Sequence, residues 1–451
     1  MSEHTIIFMP ENVRAAAKAG ETLIDVAARA NLHINASCGG EGVCGRCRVE
    51  LLEGALAAEP GLYLSAEEYA GGLRLACRAR VAGDAVVNIP LESRADASVY
   101  AAAKAEEATA VETLAPLATE ISLSLTPPSP EDNLADYDRL RIALEAEDGL
   151  ENAEMELAAL LEMPEALRAG SFSARFTIFT PPALNGEEKT AAPKIISVQP
   201  GASEAPLYAL ALDIGTTTVW ARLVNLETGA AEHSRGDLNG QIAFGEDVIS
   251  RIVYASKDGG LARLKEKVVA NINGLIDQLD EEVEGSRRRI ALVAAAGNTT
   301  MSHLFTGLDP KSIRLAPYVP AAASWPVLQA GELGLNLRAS VPVLIYPSVS
   351  SYVGGDIVAG VLASGLYKRP ELTLFIDVGT NGEIVVGNRD WMTCAACSAG
   401  PAFEGGGVKF GMRAAPGAID QFYFDRAAGT HRLSVIGGQK PAGICGSGLI
   451  N

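Results

Sequence analysis

A short pattern occurs twice in this chain and limits the folds that it can adopt. In each copy an apolar, strand-like run ends in the order Asp-x-Gly-Thr, and the two aspartates, Asp213 and Asp377, lie 164 residues apart. One copy alone is typical of an ordinary hairpin turn. Two copies in register, each directly after a buried strand, predict a duplicated half-domain whose two parts face each other across a cleft.

The chemistry of the repeat indicates nucleotide binding. Glycine followed by threonine makes a tight turn whose N–H groups and hydroxyls can contact phosphate oxygens. Asp213 and Asp377 are candidate catalytic residues that hold Mg²⁺ through water, because this ion keeps much of its hydration and prefers one or two carboxylates plus substrate phosphates. The Gly-x4-Gly-Lys-Ser/Thr loop of another nucleotide-binding class is absent from the sequence. The candidate phosphate contacts are Gly215, Thr216, Thr217, Gly379, Thr380, Asn381 and Gly382.

Four cysteines near the amino terminus are the second constraint: Cys38, Cys44, Cys47 and Cys77. Thiolates spaced this closely can hold one small inorganic core if the backbone wraps tightly around it, and the glycines between them permit such turns. The pattern therefore predicts a 2Fe-2S cluster site. Its first gap holds five residues where the plant-type spacing has about four, and in this it is similar to the adrenodoxin-like ferredoxins.

Composition excludes several classes of protein. Seven cysteines in 451 residues, four of them in the cluster pattern, predict a reducing compartment and no disulfide framework. The sequence has no signal pattern and no apolar run of membrane-spanning length, so we expect a cytoplasmic location and no membrane partner. A net charge of −18 argues against nucleic acid as a partner.

The negative charge is concentrated in the middle of the chain. Residues 95–206 carry twenty acidic and seven basic side chains. Such a run is typical of a solvated connector, and the alternative is a docking surface for a protein partner with a basic patch.

Periodicity and turn residues divide the chain into four parts. Short strands around one helix, which faces inward with Leu23, Val26 and Ala27, predict a β-grasp-like unit in residues 1–94. The Ala/Glu-rich stretch in 95–118 predicts a helical linker. Strands on either side of a helical region, predicted over residues 132–167, make 119–204 a small α+β middle unit. Apolar strands that alternate with amphipathic helices over 205–451 predict an α/β layered unit. The expected fold class is thus multidomain, α+β and α/β.

Further stretches of the chain carry a family resemblance. They are residues 297–304, 353–357, 398–406, 411–414 and 443–450. The repeat itself resembles that of the actin, sugar-kinase and heat-shock chaperone ATPases, which implies a duplicated actin-like ATPase domain over 205–451. Together with the cysteine pattern, these stretches resemble the reductive activators of corrinoid proteins.

The resemblance implies a specific activity. A member of that family passes one electron from its 2Fe-2S cluster to a cobalt(II) corrinoid protein, restoring cobalt(I) for methyl transfer, and uses ATP and Mg²⁺. It also implies an upstream low-potential reductase or ferredoxin and a homodimer. Gly446 and Gly448 look like part of the adenosine-side loop.

Two other features have competing interpretations. Asp356, after Gly354 and Gly355, is a third candidate catalytic residue that orients the attacking water or binds Mg²⁺, and a helix N-cap is the alternative. Cys394 and Cys397 form a Cys-x2-Cys pair, but no second pair accompanies them and a zinc site needs about four ligands. We therefore predict small buried thiols and no metal site there.

In the family, the ATPase domain continues beyond the position that matches Asn451. We therefore expect a carboxy-terminally truncated chain in which the second half of the ATPase domain is incomplete. Two other functions remain open: a ferredoxin fused to a small-molecule kinase of the sugar or acid kinase type, and a plain electron carrier with an inactive ATPase domain. The kinase lacks a clear acceptor-binding pattern, and the plain carrier predicts reduction without nucleotide.

Overall fold

The computed structural model describes most of the chain. The described residues are 3–30, 32, 34, 45, 47–58, 64–90, 93, 116–182, 191–201, 205–245, 247–379, 381–397, 410–412, 417–425, 430–445 and 448–449. The helix predicted in the linker, residues 95–118, lies almost wholly outside them. None of the helices within these ranges is long and apolar enough to cross a membrane.

The amino-terminal unit is a mixed sheet that packs on one helix. Its elements are β1 (Glu3–Met9), β2 (Val13–Lys18), α1 (Leu23–Arg29), β3 (Arg48–Ala57), α2 (Ala66–Ala70), β4 (Leu73–Leu75) and β5 (Arg80–Asn88). The strands described here are ordered β2-β1-β5-β3-β4, with β1 and β5 parallel. Leu23, Val26 and Ala27 of α1 are fully buried against the sheet, as the helical spacing predicts.

The middle unit places two helices beside a mixed sheet. Its elements are β6 (Ala118–Ser124), α3 (Asp136–Leu144), β7 (Glu154–Met155), α4 (Leu157–Ala169), β8 (Ser173–Phe179) and β9 (Lys194–Pro200). In this sheet β6, β8 and β9 are antiparallel neighbours and β7 is parallel to β9. The sequence predicts one helical region over residues 132–167, and this is wrong in its middle. The left-handed Gly149 (φ 78°) and the short strand β7 interrupt it, because β7 pairs with β9 and extends the sheet.

The third unit begins with a layered α/β body. Its elements are β10 (Tyr208–Ile214), β11 (Thr218–Asn225), β12 (Ala231–Leu238), α5 (Val248–Ala255), α6 (Gly260–Glu282), α7 (Ser286–Arg289), β13 (Ile290–Gly297), α8 (Thr299–Thr306), β14 (Leu328–Gln329), α9 (Ala330–Leu333), β15 (Pro342–Ile345) and α10 (Gly355–Ser364). The described strands are ordered β12-β11-β10-β13-β15-β14, and β10, β13 and β15 run parallel. The buried face of α6 covers this sheet with Leu264, Val268, Ile272, Leu275 and Leu279. Burial of each of these side chains contributes roughly 1.5–3 kcal/mol to the stability of the folded state.

The rest of the described chain forms two smaller sheets. Its strands are β16 (Thr373–Val378), β17 (Gly382–Gly387), β18 (Met392–Cys397), β19 (Ala418–Asp425), β20 (Thr430–Val435) and β21 (Gly443–Ile444). In the first sheet β16, β17 and β18 pair antiparallel in sequence order. The strands β10, β11 and β12 pair in the same way. Both copies of the repeat therefore stand at the end of the first strand of an antiparallel meander.

A charge-assisted pair joins the middle unit to the third unit. Arg289 donates from both of its terminal nitrogens to the carboxylate of Glu120 on β6, at 2.7 and 3.1 Å. Both side chains are largely buried, and Arg175 of β8 contacts the same carboxylate at 3.4 Å. Bidentate pairs of this kind fix orientation as well as contributing energy, so β6 is held against the start of β13.

Candidate functional site

The carboxyl ends of three parallel strands meet at one edge of the large sheet. Asp213 lies in β10 and leads into Gly215 and Thr216, Asn298 follows β13, and the segment after β15 leads to Asp356 in the first turn of α10. Crevices at this edge are the usual ligand sites of open α/β sheets. The topology therefore brings together residues that are more than 140 positions apart in the sequence.

The first Gly-Thr turn is held by side chains from other elements. Asn298 donates through Nδ2 to the Thr216 hydroxyl at 3.0 Å, and its Oδ1 caps α8 by accepting from Met301 N at 3.0 Å. Asn239 donates through Nδ2 to Gly215 O at 2.8 Å. These contacts leave the turn ordered before any ligand arrives, which lowers the entropic cost of binding a phosphate.

The segment Val353-Gly354-Gly355 brings α10 into direct contact with the end of β13. A Cβ on Gly354 would overlap the backbone of Asn298, so only glycine permits this approach. Gly354 is the N-cap residue of α10 and makes no side-chain cap. Asp356 is the second residue of the helix. The N-cap interpretation of Asp356 is therefore wrong. Its carboxylate accepts from Ile357 N at 2.9 Å.

We expect Gly354→Ala to destabilise the chain and weaken nucleotide binding, because the added methyl group must displace α10 or Asn298. The matched control is Gly274→Ala within α6, where a Cβ meets nothing within 4 Å. That control should stabilise the chain by about 0.5–1 kcal/mol, since helical glycine is less favourable than alanine. Thermal unfolding and calorimetric nucleotide titration of both variants provide the measurement, and equal behaviour of the two would contradict the packing argument.

The second copy of the repeat carries an additional carboxylate. Asp377 of β16 lies directly across from Glu383 of β17 in the antiparallel register. The turn between the two strands is closed by Gly379 N, which donates to Asn381 O at 2.9 Å. Thr380 lies outside the described residues. Cross-strand partners share one face of a sheet, so both carboxylates point to the same side.

Four carboxylates interact electrostatically across this cleft. Desolvation by the surrounding chain, together with the charges of Asp356 and Asp377, raises the pKa of Asp213 to about 6, although this residue is exposed at the surface. Burial and the same two charges raise the pKa of Glu383 to about 7. Burial is also the main cause of the raised pKa of Asp356, and Asp377 adds to it. The two copies of the repeat thus face each other.

Glu383 is the member of this set that the sequence patterns did not indicate as a site residue. It stands in the second repeat stretch, six residues after Asp377. Its distance from Asp377 along the chain could have indicated this role. A tight turn after Asp377 returns the next strand antiparallel, and this brings Glu383 opposite the aspartate.

The arrangement suits a hydrated cation. Among the described residues, no group of three histidine, cysteine or acidic side chains converges closely enough to hold a metal ion directly. Mg²⁺ needs few protein ligands and keeps several waters, with substrate phosphates completing its shell. Acidic side chains from both copies of the repeat are the ligand type that this ion prefers, so the chemistry of the residues fits a Mg²⁺–nucleotide complex.

We expect Asp213→Asn to stabilise the metal-free, nucleotide-free chain more at pH 8 than at pH 4. The folded chain holds the Asp213 proton up to about pH 6, whereas the unfolded chain loses it near the ordinary value of 3.8. The folded state binds more protons in this window, so its stability falls as pH rises from about 4 to above 6. Asparagine removes that loss. Thermal unfolding of Asp213→Asn and the parent chain at both pH values measures the gain in stability. Asp390→Asn, at an exposed position, is the control. A gain that is the same at pH 4 and pH 8 would contradict the prediction.

Two of the four predicted cluster ligands lie together. Cys47 and Cys77 have their sulfurs 3.3 Å apart, and both side chains are buried, at 1% and 7% exposure. A disulfide is about 2.0 Å long, and two thiolates on one tetrahedral metal with bonds of about 2.3 Å lie roughly 3.8 Å apart. The pair therefore fits shared ligation of one iron, while Cys38 and Cys44 lie outside the described residues.

The remaining cysteines and glycines are placed as follows. Cys394 and Cys397 lie three apart on β18 and so point to opposite faces, which opposes a shared metal site. The prediction that both thiols are buried is wrong: Cys394 is half-buried against the small apolar cluster that contains Val385, and Cys397 is exposed. Gly448 packs closely on the backbone of β19 at Ile419, and Gly446 lies outside the described residues.

Comparison with known families covers most of the chain in segments. Residues 7–82 match the 2Fe-2S iron-sulfur cluster binding domain, and 107–205 match the RACo linker region. Residues 208–369 match the RACo middle region, and 371–451 match the C-terminal domain of RACo, the ASKHA domain.

Individual relatives point in the same direction. The corrinoid activation enzyme RamQ of Eubacterium limosum is 37% identical over 249 residues, which are 55% of this chain and 41% of the relative. The [Co(II) methylated amine-specific corrinoid protein] reductase of Methanosarcina barkeri is 26% identical over 47% of this chain and 40% of its own length. The matched segments thus span about two-fifths of these curated relatives.

A solved structure matches over nearly the whole chain. It is titled reductive activator for corrinoid,iron-sulfur protein, and it is 38% identical, with a TM-score of 0.63, over 99% of this chain and 71% of its own. The order of units and the mixed sheets agree with it, which confirms the predicted fold class. The chain belongs to the family of reductive activators of corrinoid proteins.

Proposed function

We propose that this chain is an ATP-dependent reductive activator, which transfers one electron to the cobalt(II) corrinoid of a methyl-transfer protein and restores cobalt(I). One observation carries the proposal: a buried thiol pair in a ferredoxin unit and a four-carboxylate cleft occur in a single chain. Membership of the activator family supports the corrinoid protein as the partner. Neither an electron carrier nor a nucleotide enzyme alone needs both features.

The thiol side chains have the role of cluster ligands in this proposal. They are Cys38, Cys44, Cys47 and Cys77. When bound, a 2Fe-2S cluster supplies a one-electron carrier, with a potential near −400 mV in plant-type ferredoxins. The burial of Cys47 and Cys77 restricts water at the ligand sulfurs, and solvent exposure is one determinant of such potentials.

The cleft residues have the role of a Mg²⁺–nucleotide site. Asp213 and Asp377 would hold the ion through water, and Asp356 would orient the attacking water or bind the ion. Glu383, whose pKa of about 7 matches a general base, accepts a proton from that water. The backbone and hydroxyls of both turns contact the phosphates: Gly215, Thr216, Thr217, Gly379, Thr380, Asn381 and Gly382. Gly446 and Gly448 contact the adenosine side.

Energetics explain why an electron carrier of this kind uses ATP. Every ~59 mV of unfavourable potential costs about tenfold in a one-electron equilibrium. A corrinoid cobalt(II) that is harder to reduce than the cluster therefore needs an additional driving force. We propose that the ATPase unit drives docking on the corrinoid protein and not the chemistry at iron. Repeated turnover with a non-hydrolysable nucleotide would contradict this.

One assay separates the proposal from its two rivals. The reconstituted chain receives reductant, the cobalt(II) corrinoid protein and ATP, and the cobalt spectrum and phosphate release are followed together. We expect the change in the cobalt spectrum and the release of phosphate each to require both the corrinoid protein and ATP. Reduction without nucleotide would favour the plain electron carrier, and phosphoryl transfer to a small molecule without cobalt reduction would favour the kinase.

Further parts of the proposal rest on the resemblance and on composition. The electron donor is an upstream low-potential reductase or ferredoxin, and the assembly is a homodimer. A cytoplasmic location follows from the need to keep cluster thiols reduced. The domain limits 1–94, 95–118, 119–204 and 205–451 remain part of the proposal, and the separate sheets of the described residues support them.

A further inference from the structure

A 3-10 helix at Gly240–Phe244 lies directly against the first phosphate turn. Its N-cap residue, Asn239, is fully buried and holds the turn twice: Nδ2 donates to Gly215 O at 2.8 Å, and the backbone N donates to Thr217 O at 2.9 Å. The Asn239 side chain also accepts from Gln241 N at 3.0 Å. One residue therefore ties the turn to the beginning of the 3-10 helix.

A buried arginine ties the same two segments together at a second point. Arg251 of α5 has no exposed surface and donates to Thr216 O. It also donates to Gln241 Oε1 at 3.1 Å and to Gly245 O at 2.8 Å, so it contacts both ends of the 3-10 helix. Removing a partner from such a buried network is costly, because the remaining polar groups lose their hydrogen bonds. The turn and the 3-10 helix therefore shift together.

The 3-10 helix also contacts the ferredoxin unit. Ala28 of α1 is 4% exposed and belongs to the same buried cluster as Ala243 and Phe244. Lys267 of α6 donates through Nζ to Ala28 O at 3.0 Å, near the carboxyl end of α1. A lysine at that end also complements the helix dipole. The face of α1 away from its own sheet is thus docked on the nucleotide unit.

The same helix supports a predicted cluster ligand. Leu23 N donates to Ala79 O at 2.9 Å, and Ile24 N donates to Ala76 O at 3.2 Å. These two contacts flank Cys77 on either side. Helix α1 therefore connects a ligand-bearing segment of the ferredoxin unit to the 3-10 helix, and that helix connects to the phosphate turn.

We propose that nucleotide binding at the Gly215–Thr217 turn and docking of α1 on the 3-10 helix are thermodynamically linked. This inference rests on the proposed function, because it requires that the turn binds nucleotide phosphate. Phosphate contacts further restrict the motion of the turn, Asn239 and Arg251 pass that restriction to the 3-10 helix, and the docked position of α1 is favoured. Linkage is reciprocal, so docking of the ferredoxin unit also raises the affinity of the phosphate turn for nucleotide.

The test is hydrogen exchange on the full chain with its cluster reconstituted, with and without Mg²⁺ and a non-hydrolysable ATP analogue. We expect the analogue to slow exchange of the α1 amides by about fivefold or more, the lower end of common coupling strengths. Lys267→Ala removes the contact to Ala28 and should abolish most of this effect. Lys265→Ala is the matched control, because that lysine lies on the same helix but bonds Thr306 O.

Calorimetry on the same samples separates the possible failures. If the analogue binds but exchange in α1 is unchanged or faster, the linkage is wrong and the proposed function stands. If no binding is detected, the nucleotide part of the proposed function is wrong, and the linkage falls with it. If Lys267→Ala keeps the full effect of the analogue, the proposed route through α1 is wrong.

Discussion

Cys77→Ala should leave the reconstituted chain with little bound iron and no measurable corrinoid reduction. Cys77 is buried with its sulfur 3.3 Å from that of Cys47, so alanine removes one of two thiolates that converge on the same position. Loss of outer-shell partners of a metal costs about 10–100-fold in affinity, and loss of a direct ligand is expected to exceed that range. Iron content, visible absorption and the cobalt spectrum together measure the effect.

The control for this change is Cys397→Ala. Cys397 is an exposed thiol on β18, outside the ferredoxin unit, so its removal should leave iron content unchanged. A fold check by circular dichroism distinguishes ligand loss from general unfolding, since the third unit has its own large buried core. Parent-like iron content and reduction in Cys77→Ala would remove Cys77 from the ligand set.

Asp377→Asn should lower the rate of ATP hydrolysis by about 100-fold or more and abolish nucleotide-dependent corrinoid reduction, while iron content stays at the parent value. The substitution keeps the shape of the side chain but removes a charge that acts on Asp213, Asp356 and Glu383 across the cleft. Removing one preorganised electrostatic group commonly costs about 10²–10³ in rate. Phosphate release measured against Mg²⁺ concentration provides the test.

Asp390→Asn is the matched control for that change. Asp390 lies in the turn after β17, on the same small sheet, with its side chain exposed and paired only loosely with Arg389 at 3.6 Å. It should hydrolyse ATP like the parent, because exposed pairs contribute little. Equal hydrolysis rates for Asp377→Asn and the parent chain would show that Asp377 is not a catalytic residue.

Local patterns in the sequence predicted much of the architecture. The strand ahead of each Asp-x-Gly-Thr turn, the amphipathic helix α6 and the inward face of α1 all follow from residue spacing within a few turns or strand positions. The middle unit departs from its prediction because the pairing of β7 with β9 is a long-range contact that local helix propensity does not register. The same holds for Cys397, whose exposure depends on what packs against β18.

The cluster pattern, the repeated phosphate turn and the family resemblance were available from the sequence alone, since each depends on residue types at fixed short spacings. The tertiary structure decided which distant groups share one site. Strand register sets Glu383 opposite Asp377, the parallel order of β10, β13 and β15 brings Asn298 and Asp356 to Asp213, and packing of α1 joins the ferredoxin unit to the 3-10 helix. Spacing along the chain carries no information on these contacts, because register and docking are selected by burial and hydrogen bonding over the whole molecule.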